Sequence, residues 1–140
     1  MSLNVKEATI TDPIRKRSNP RVLIAEDNFL IGEFMRQVLI DLGYAVVGPF
    51  TTLEETLQNI ETTDIDGAVL DVQLGADNIL PAAQLLELRR IPFIVTTGHE
   101  VLADQPSVLA NAMLLVKPFE VKQLAAMVTE AFGHPLRGEP

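Results

Sequence analysis

Cysteine is absent from the chain, which excludes disulfides, thiol nucleophiles and cysteine-based zinc sites together. Histidine occurs only as His99 and His134, so a histidine-rich metal site is excluded too. No apolar run approaches the roughly 18 residues that a membrane span needs, because Asp, Glu, Gly or Pro interrupts every stretch. Met1 to Ile10 lacks a basic start followed by an apolar core, so nothing marks a secretory signal. Internal repeats and low-complexity segments are missing as well. Together these absences point to the cytoplasm and to no membrane association.

What is present is a chain of 140 residues, 47% of them apolar, enough for one domain with a real core and too few for two. The net charge of −8 is unevenly spread. Lys6, Arg15, Lys16, Arg17 and Arg21 outnumber Glu7 and Asp12 at the start, and the rest of the chain carries the acidic excess. An acidic globule repels a phosphate backbone, so nucleic-acid binding by the main domain is disfavoured. Residues 1–20 hold Pro13 and Pro20 and no sustained period, and read as a solvated N-terminal extension. Residues 21–133 form the domain, and 134–140 a short tail.

From Arg21 onward, short apolar runs alternate with helical patterns. Arg21–Ala25 is apolar enough for a strand buried on both faces. Asn28 can cap a helix whose Ile31, Phe34, Met35, Val38 and Leu42 recur at helical spacing, with Gly43 ending it. Ala45–Gly48 reads as a second strand, and Thr52 with Glu55 as a capping box for a helix to about Glu61. Gly67–Asp71 is a third strand. Pro81 suits the first turn of a helix running to about Arg90, stopped by Pro92. Phe93–Thr97 and Met113–Val116 are the fourth and fifth strands. A last helix begins near Glu120 and closes at Gly133. Gly98 to Asn111 is the least regular stretch, with one short helix after Pro106.

Five strands alternating with helices mean βα units, a parallel sheet and helices on both faces. Ligands then bind outside the carboxyl ends of the strands, where strand order reverses. Those ends carry Glu26-Asp27, Asp71, Thr97-Gly98 and Lys117-Pro118. Three carboxylates within about 5 Å repel by roughly 3 kcal/mol per pair at an effective dielectric near 20, so the cluster needs protons, a cation or both. Oxygen ligands without histidine or cysteine select a hard ion, and Mg²⁺ is the expected occupant. A metal-neutralised Asp is a competent nucleophile toward phosphorus. The Thr97 hydroxyl, the Lys117 ammonium and backbone amides after Asp71 could receive the phosphoryl oxygens. Each part alone has an ordinary reading as a cap, a turn or a strand-to-helix junction; their order along the chain argues otherwise.

With these residues in view, Arg21 to Phe132 resembles the receiver domain of bacterial two-component response regulators. The resemblance rests on Val22-Leu-Ile-Ala-Glu-Asp-Asn28, Val69-Leu-Asp71, Ile94-Val-Thr-Thr-Gly98 and Leu115-Val-Lys-Pro-Phe119. It implies a flavodoxin-like doubly wound sheet of order 2-1-3-4-5. It implies Asp71 as phosphoacceptor, Asp27 as a direct Mg²⁺ ligand, Glu26 as a ligand through water and the Gln73 backbone carbonyl as a further ligand. Thr97 would contact the phosphoryl group, and Lys117, before a cis bond to Pro118, would pair with it. The implied partner is a histidine kinase or histidine phosphotransfer protein, the implied assembly a monomer or weak homodimer. No enzyme activity is expected beyond the chain's own phosphorylation and dephosphorylation. Two features depart from the family: Leu114 stands where an aromatic switch residue is usual, and Gly98 to Lys117 is short. Thr97-Gly-His and Asp71-Val-Gln-Leu-Gly resemble an alphaproteobacterial subgroup of stand-alone receivers, and a free-standing regulator that signals by docking or acts as a phosphate sink is expected.

Three competing functions weigh less. A haloacid-dehalogenase-type phosphatase needs a second Asp two residues after its nucleophile, where Gln73 stands. A pseudo-receiver, an interaction module that is never phosphorylated, usually lacks an acidic residue or the Lys, and both are kept here. A flavin phosphate would be repelled by the acidic loop after the first strand.

Overall fold

The computed structural model describes residues 19–98 and 104–135. Most of the expected extension, His99 in the loop after the fourth main strand, and most of the tail lie outside the described residues. In chain order the elements are β1 (Arg21–Ala25), α1 (Phe29–Leu42), β2 (Ala45–Phe50), α2 (Leu53–Thr62), β3 (Gly67–Asp71), β4 (Gln73–Leu74) and β5 (Asp77–Asn78). They are followed by α3 (Leu80–Leu88), β6 (Phe93–Thr97), α4 (Ser107–Ala110), β7 (Met113–Val116) and α5 (Val121–Phe132). Five strands pair in parallel in the order β2-β1-β3-β6-β7, which is the expected 2-1-3-4-5 once the small hairpin is set aside. Among the described residues no helix is long and apolar enough to cross a membrane.

Strand alternation divides the core in two. Leu23, Ala25, Ala68, Leu70 and Val95 meet Ile60 of α2 and Ala82, Ala83 and Leu86 of α3. Val22, Ile24, Val69, Ile94 and Leu115 meet Met35 and Leu39 of α1 and Leu124, Val128 and Phe132 of α5. These side chains are almost all fully enclosed, and each buried Leu or Ile contributes about 1.5–3 kcal/mol. Gly67 begins β3 against this second layer: a Cβ there would meet the Phe132 ring at 2.5 Å, so the ring's seat requires glycine.

Helix ends follow the local chemistry. Asn28 Oδ1 accepts the Ile31 amide at 3.0 Å and caps α1, and Gly43 closes it with φ of 105°. Thr52 Oγ1 accepts the Glu55 amide at 3.1 Å, but Glu55 returns its side chain to the Thr51 amide at 3.4 Å, so the capping box is displaced by one residue. Helix α3 stops two residues before Arg90, which turns the chain toward Pro92 with φ of 60°.

Two regions differ from the sequence reading. Strand β2 continues two residues past Gly48, because the pairing steps from Leu23↔Val47 to Ala25↔Phe50 and leaves an extra residue on the β2 side. Gly48, at φ of 104°, absorbs that bulge; a Cβ would lie 2.7 Å from the Ile24 carbonyl oxygen. Second, Gln73–Leu74 and Asp77–Asn78 pair as an antiparallel hairpin, which was not anticipated. The bonds Gly48–Pro49 and Lys117–Pro118 are both cis, the latter as expected.

Candidate functional site

β1 is flanked by β2 on one side and β3 on the other, so the reversal of strand order falls where β1 and β3 end. Glu26-Asp27 follow β1 and Asp71 closes β3. One carboxylate oxygen from each of Glu26, Asp27 and Asp71 lies within 4.8 Å of the others. Glu26 and Asp71 are buried and Asp27 is exposed. The expected acidic cluster is therefore assembled by the ends of two adjacent parallel strands.

Lys117 enters this cluster from the far side of the sheet. It follows β7, and its amide donates to the Thr97 carbonyl at 2.8 Å, prolonging the ladder by one residue. Its ammonium donates to Asp71 Oδ2 at 2.7 Å and lies 2.9 Å from Glu26 Oε1. The second contact is an ion pair without the direction of a hydrogen bond, since Glu26 Oε1 is enclosed and lacks a well-aligned donor among the described residues. Glu26 Oε2 accepts the Asn28 amide at 3.0 Å. Burial raises the Glu26 carboxyl above its usual range and the Asp71 charge adds to this, while the Lys117 ion pair and the Asn28 hydrogen bond oppose it. Burial alone would lower Lys117; its contacts with the Asp71 and Glu26 carboxylates outweigh this and raise it. The ammonium is thus held charged.

The remaining contacts come from the unanticipated hairpin. The Gln73 amide donates to Asp71 Oδ1 at 3.2 Å, and the Gly75 amide donates to Asp27 Oδ2 at 2.7 Å. A glycine at the first central position of a two-residue loop, here Gly75 with φ of 59°, is the hairpin signal that the sequence carried. Asn78 extends the chain of contacts outward: its Oδ1 accepts the Leu80 amide at 2.7 Å, and its Nδ2 donates to Gln105 Oε1 at 2.9 Å. Glu26, Asp27, Asp71, Lys117 and the start of the Gln73 hairpin are thus gathered into one site. Thr97 ends β6 in a buried position beside it. Leu114, the departure noted above, packs half-buried against the α2–α3 core layer, on the opposite face from Leu115.

The donor set fits a hard divalent cation. Three carboxylates share one ammonium, so negative charge is in excess, and the enclosed Glu26 Oε1 is left without a directed donor. A cation of this class would correct both.

Residues 22–129 match the family model described as response regulator receiver domain. The chain is 31% identical over 107 residues to the transcriptional regulatory protein PdtaR of Mycobacterium tuberculosis, covering 74% of this chain and 52% of that protein. It spans about half the length of the curated relatives it matches first. Among solved structures, the response regulator PhyR of Brucella abortus superposes with a TM-score of 0.72 at 27% identity, over 85% of this chain and 50% of that one. The receiver domain of a sensor histidine kinase from Pseudomonas aeruginosa PAO1, described with a magnesium ion coordinated in its active-site cleft, gives 0.71 at 23% identity, over 82% and 98%.

Proposed function

Because the chain belongs to the response regulator receiver domain family, we propose that Asp71 accepts a phosphoryl group from the phosphohistidine of a histidine kinase or histidine phosphotransfer protein. The observation that carries this reading is the Lys117 ammonium 2.7 Å from Asp71 Oδ2, inside an acidic cluster at the point where strand order reverses.

A Mg²⁺ ion held by Glu26, Asp27, Asp71 and the Gln73 carbonyl would neutralise the carboxylates and withdraw charge from the phosphoryl oxygens. The chain's own groups do the rest. An Asp71 carboxylate oxygen bonds to phosphorus as the N–P bond breaks, and the imidazole leaves with the bonding pair. Lys117 exchanges its contact with the carboxylate for one with a phosphoryl oxygen. Thr97, at the end of β6, supplies a hydroxyl on the outer side and links the event to the segment that follows. Phe29 and Leu30, about three-quarters exposed at the start of α1, offer an apolar rim beside Asp27 on which a partner protein can dock. The chain acts in the cytoplasm, as a regulator read through its surface or as a phosphate sink, and catalyses no reaction but its own phosphorylation and dephosphorylation.

Intact mass after incubation with acetyl phosphate tests the reading. The wild type gains one phosphoryl mass in Mg²⁺ and not in EDTA, and Asp71→Asn gains none. No gain by the folded wild type, or normal labelling of Asp71→Asn, overturns it; the former would favour a non-phosphorylated interaction module.

A further inference from the structure

The α1–α5 face of the sheet is apolar except at its carboxyl end. Val22, Ile24, Val69, Ile94 and Leu115 all belong to that layer, and side chains two residues further along each strand stand on the same face. Those residues are Glu26, Asp71, Thr96 and Lys117. Asp71 and Thr96 are register partners on adjacent strands, and Thr96 is in turn the partner of Leu115 on β7. The strand bearing Thr96 lies between the strand that delivers Lys117 and the one that ends in Asp71. To bring its ammonium 2.7 Å from Asp71 Oδ2 and 2.9 Å from Glu26 Oε1, Lys117 has to reach across β6 on the face where Thr96 stands.

Thr96 is fully enclosed, and among the described residues its Oγ1 has no hydrogen-bond partner. A buried hydroxyl without a partner destabilises the fold, and valine has nearly the same shape. A hydroxyl kept at that cost, in the same row as the two carboxylates that Lys117 binds, calls for a role in another state of the site.

We propose that Thr96 is a positioning residue for Lys117: its hydroxyl accepts a hydrogen bond from the ammonium when phosphoryl transfer draws Lys117 away from Asp71 Oδ2. This rests on Asp71 being the acceptor. In the resting site the ammonium directs one proton to Asp71 and presents another to the poorly aligned Glu26 Oε1. Once an Asp71 oxygen is bonded to phosphorus as the acyl phosphate, the negative charge has moved outward onto the phosphoryl oxygens and Lys117 follows it. Thr96 Oγ1, in the same row of side chains, keeps the ammonium aimed at those oxygens and prevents its return to Glu26.

The test combines denaturant melts with initial rates of labelling by acetyl phosphate in Mg²⁺, for the wild type, Thr96→Val, Thr96→Ser, Lys117→Met and Thr96→Val/Lys117→Met. Thr96→Val is expected to melt at or above the wild-type midpoint and to label roughly tenfold more slowly, the loss of one hydrogen bond to a charged group. Thr96→Ser should restore the rate. In the Lys117→Met background, Thr96→Val should cause no further slowing, because the hydroxyl acts through the ammonium. Wild-type labelling by Thr96→Val, a Thr96→Ser as slow as Thr96→Val, or an equal slowing without Lys117 overturns the proposal. So does a Thr96→Val that melts below wild type, which would reveal a resting-state partner. Asp71→Asn, run alongside, separates the two readings: if it labels like the wild type, the acceptor assignment has failed instead.

Discussion

Tyr44 is the chain's single tyrosine, and tryptophan is absent, so its phenol can be followed by near-ultraviolet absorbance alone. It lies at the end of α1, nearly enclosed, donates to the Gly133 carbonyl just past α5, and stacks edge-on to Phe132 with ring centroids 6.4 Å apart. Burial raises its pKa above the usual 10.0, more than hydrogen bonding with Thr129 lowers it. The sign follows from the unfolded reference: below pH 10 both states carry the neutral phenol and the contribution is complete. As pH rises past the unfolded value, only the unfolded chain ionises, and stability falls until the folded phenol also titrates. Absorbance titration should therefore show tyrosinate appearing later in the folded protein than in denaturant. Tyr44→Phe should lose about 1 kcal/mol near neutral pH, one hydrogen bond, and flatten the decline of stability above pH 10. Coincident titrations of folded and denatured protein would refute this.

At the scale of elements, the hairpin β4–β5 is the connector. It reaches back to Asp27 through the Gly75 amide, accepts the Leu80 amide at the start of α3 through Asn78 Oδ1, and reaches forward through Asn78 Nδ2 to Gln105, just before α4. A change at the acidic cluster thus has a bonded route to the segment after Thr97. Removing the two ends of this route should give different results. Gln105→Ala breaks only the amide pair, so stability should fall by at most about 1 kcal/mol. In the wild type, beryllofluoride, a mimic of the proposed acyl phosphate, should slow hydrogen exchange around Gln105, and in Gln105→Ala this response should be lost. Asn78→Ala also removes the acceptor for the Leu80 amide and should cost more, about 1–2 kcal/mol. A Gln105→Ala protein whose exchange response matches the wild type would show that the two loops are coupled elsewhere.

For the whole molecule, a cation held by the acidic cluster, as proposed above, would make folding and cation binding one equilibrium. A cation that binds only the folded state stabilises it by about 1.4 kcal/mol for each tenfold excess over its dissociation constant. The wild-type melting midpoint should rise with the logarithm of Mg²⁺ concentration. Asp27→Asn keeps an oxygen for the Gly75 amide while removing one of three mutually repelling charges. In EDTA it should match or exceed the wild type by about 1 kcal/mol, and Mg²⁺ should barely move its midpoint. A destabilised Asp27→Asn in EDTA, or an undiminished Mg²⁺ response, would show that Asp27 is a structural group.

Five main strands, their parallel arrangement and the residues at their carboxyl ends were legible in the sequence because they rest on local regularities. Apolar runs such as Arg21–Ala25, amphipathic spacing such as Ile31 to Leu42, and caps such as Asn28 act over a few residues. Alternation of strand and helix then leaves few topologies, and a parallel sheet places Glu26, Asp27, Asp71, Thr97 and Lys117 on one rim. Only the tertiary structure decided how those groups pair. Residues 71 and 117 are 46 apart in sequence, 27 and 75 are 48 apart, and 78 and 105 are 27 apart. The bulge at Gly48, the hairpin at Gln73–Asn78 and the lone hydroxyl of Thr96 likewise depend on what lies on the next strand. Local patterning sets which face a side chain occupies; strand register and the path of the connecting loops set what it meets there.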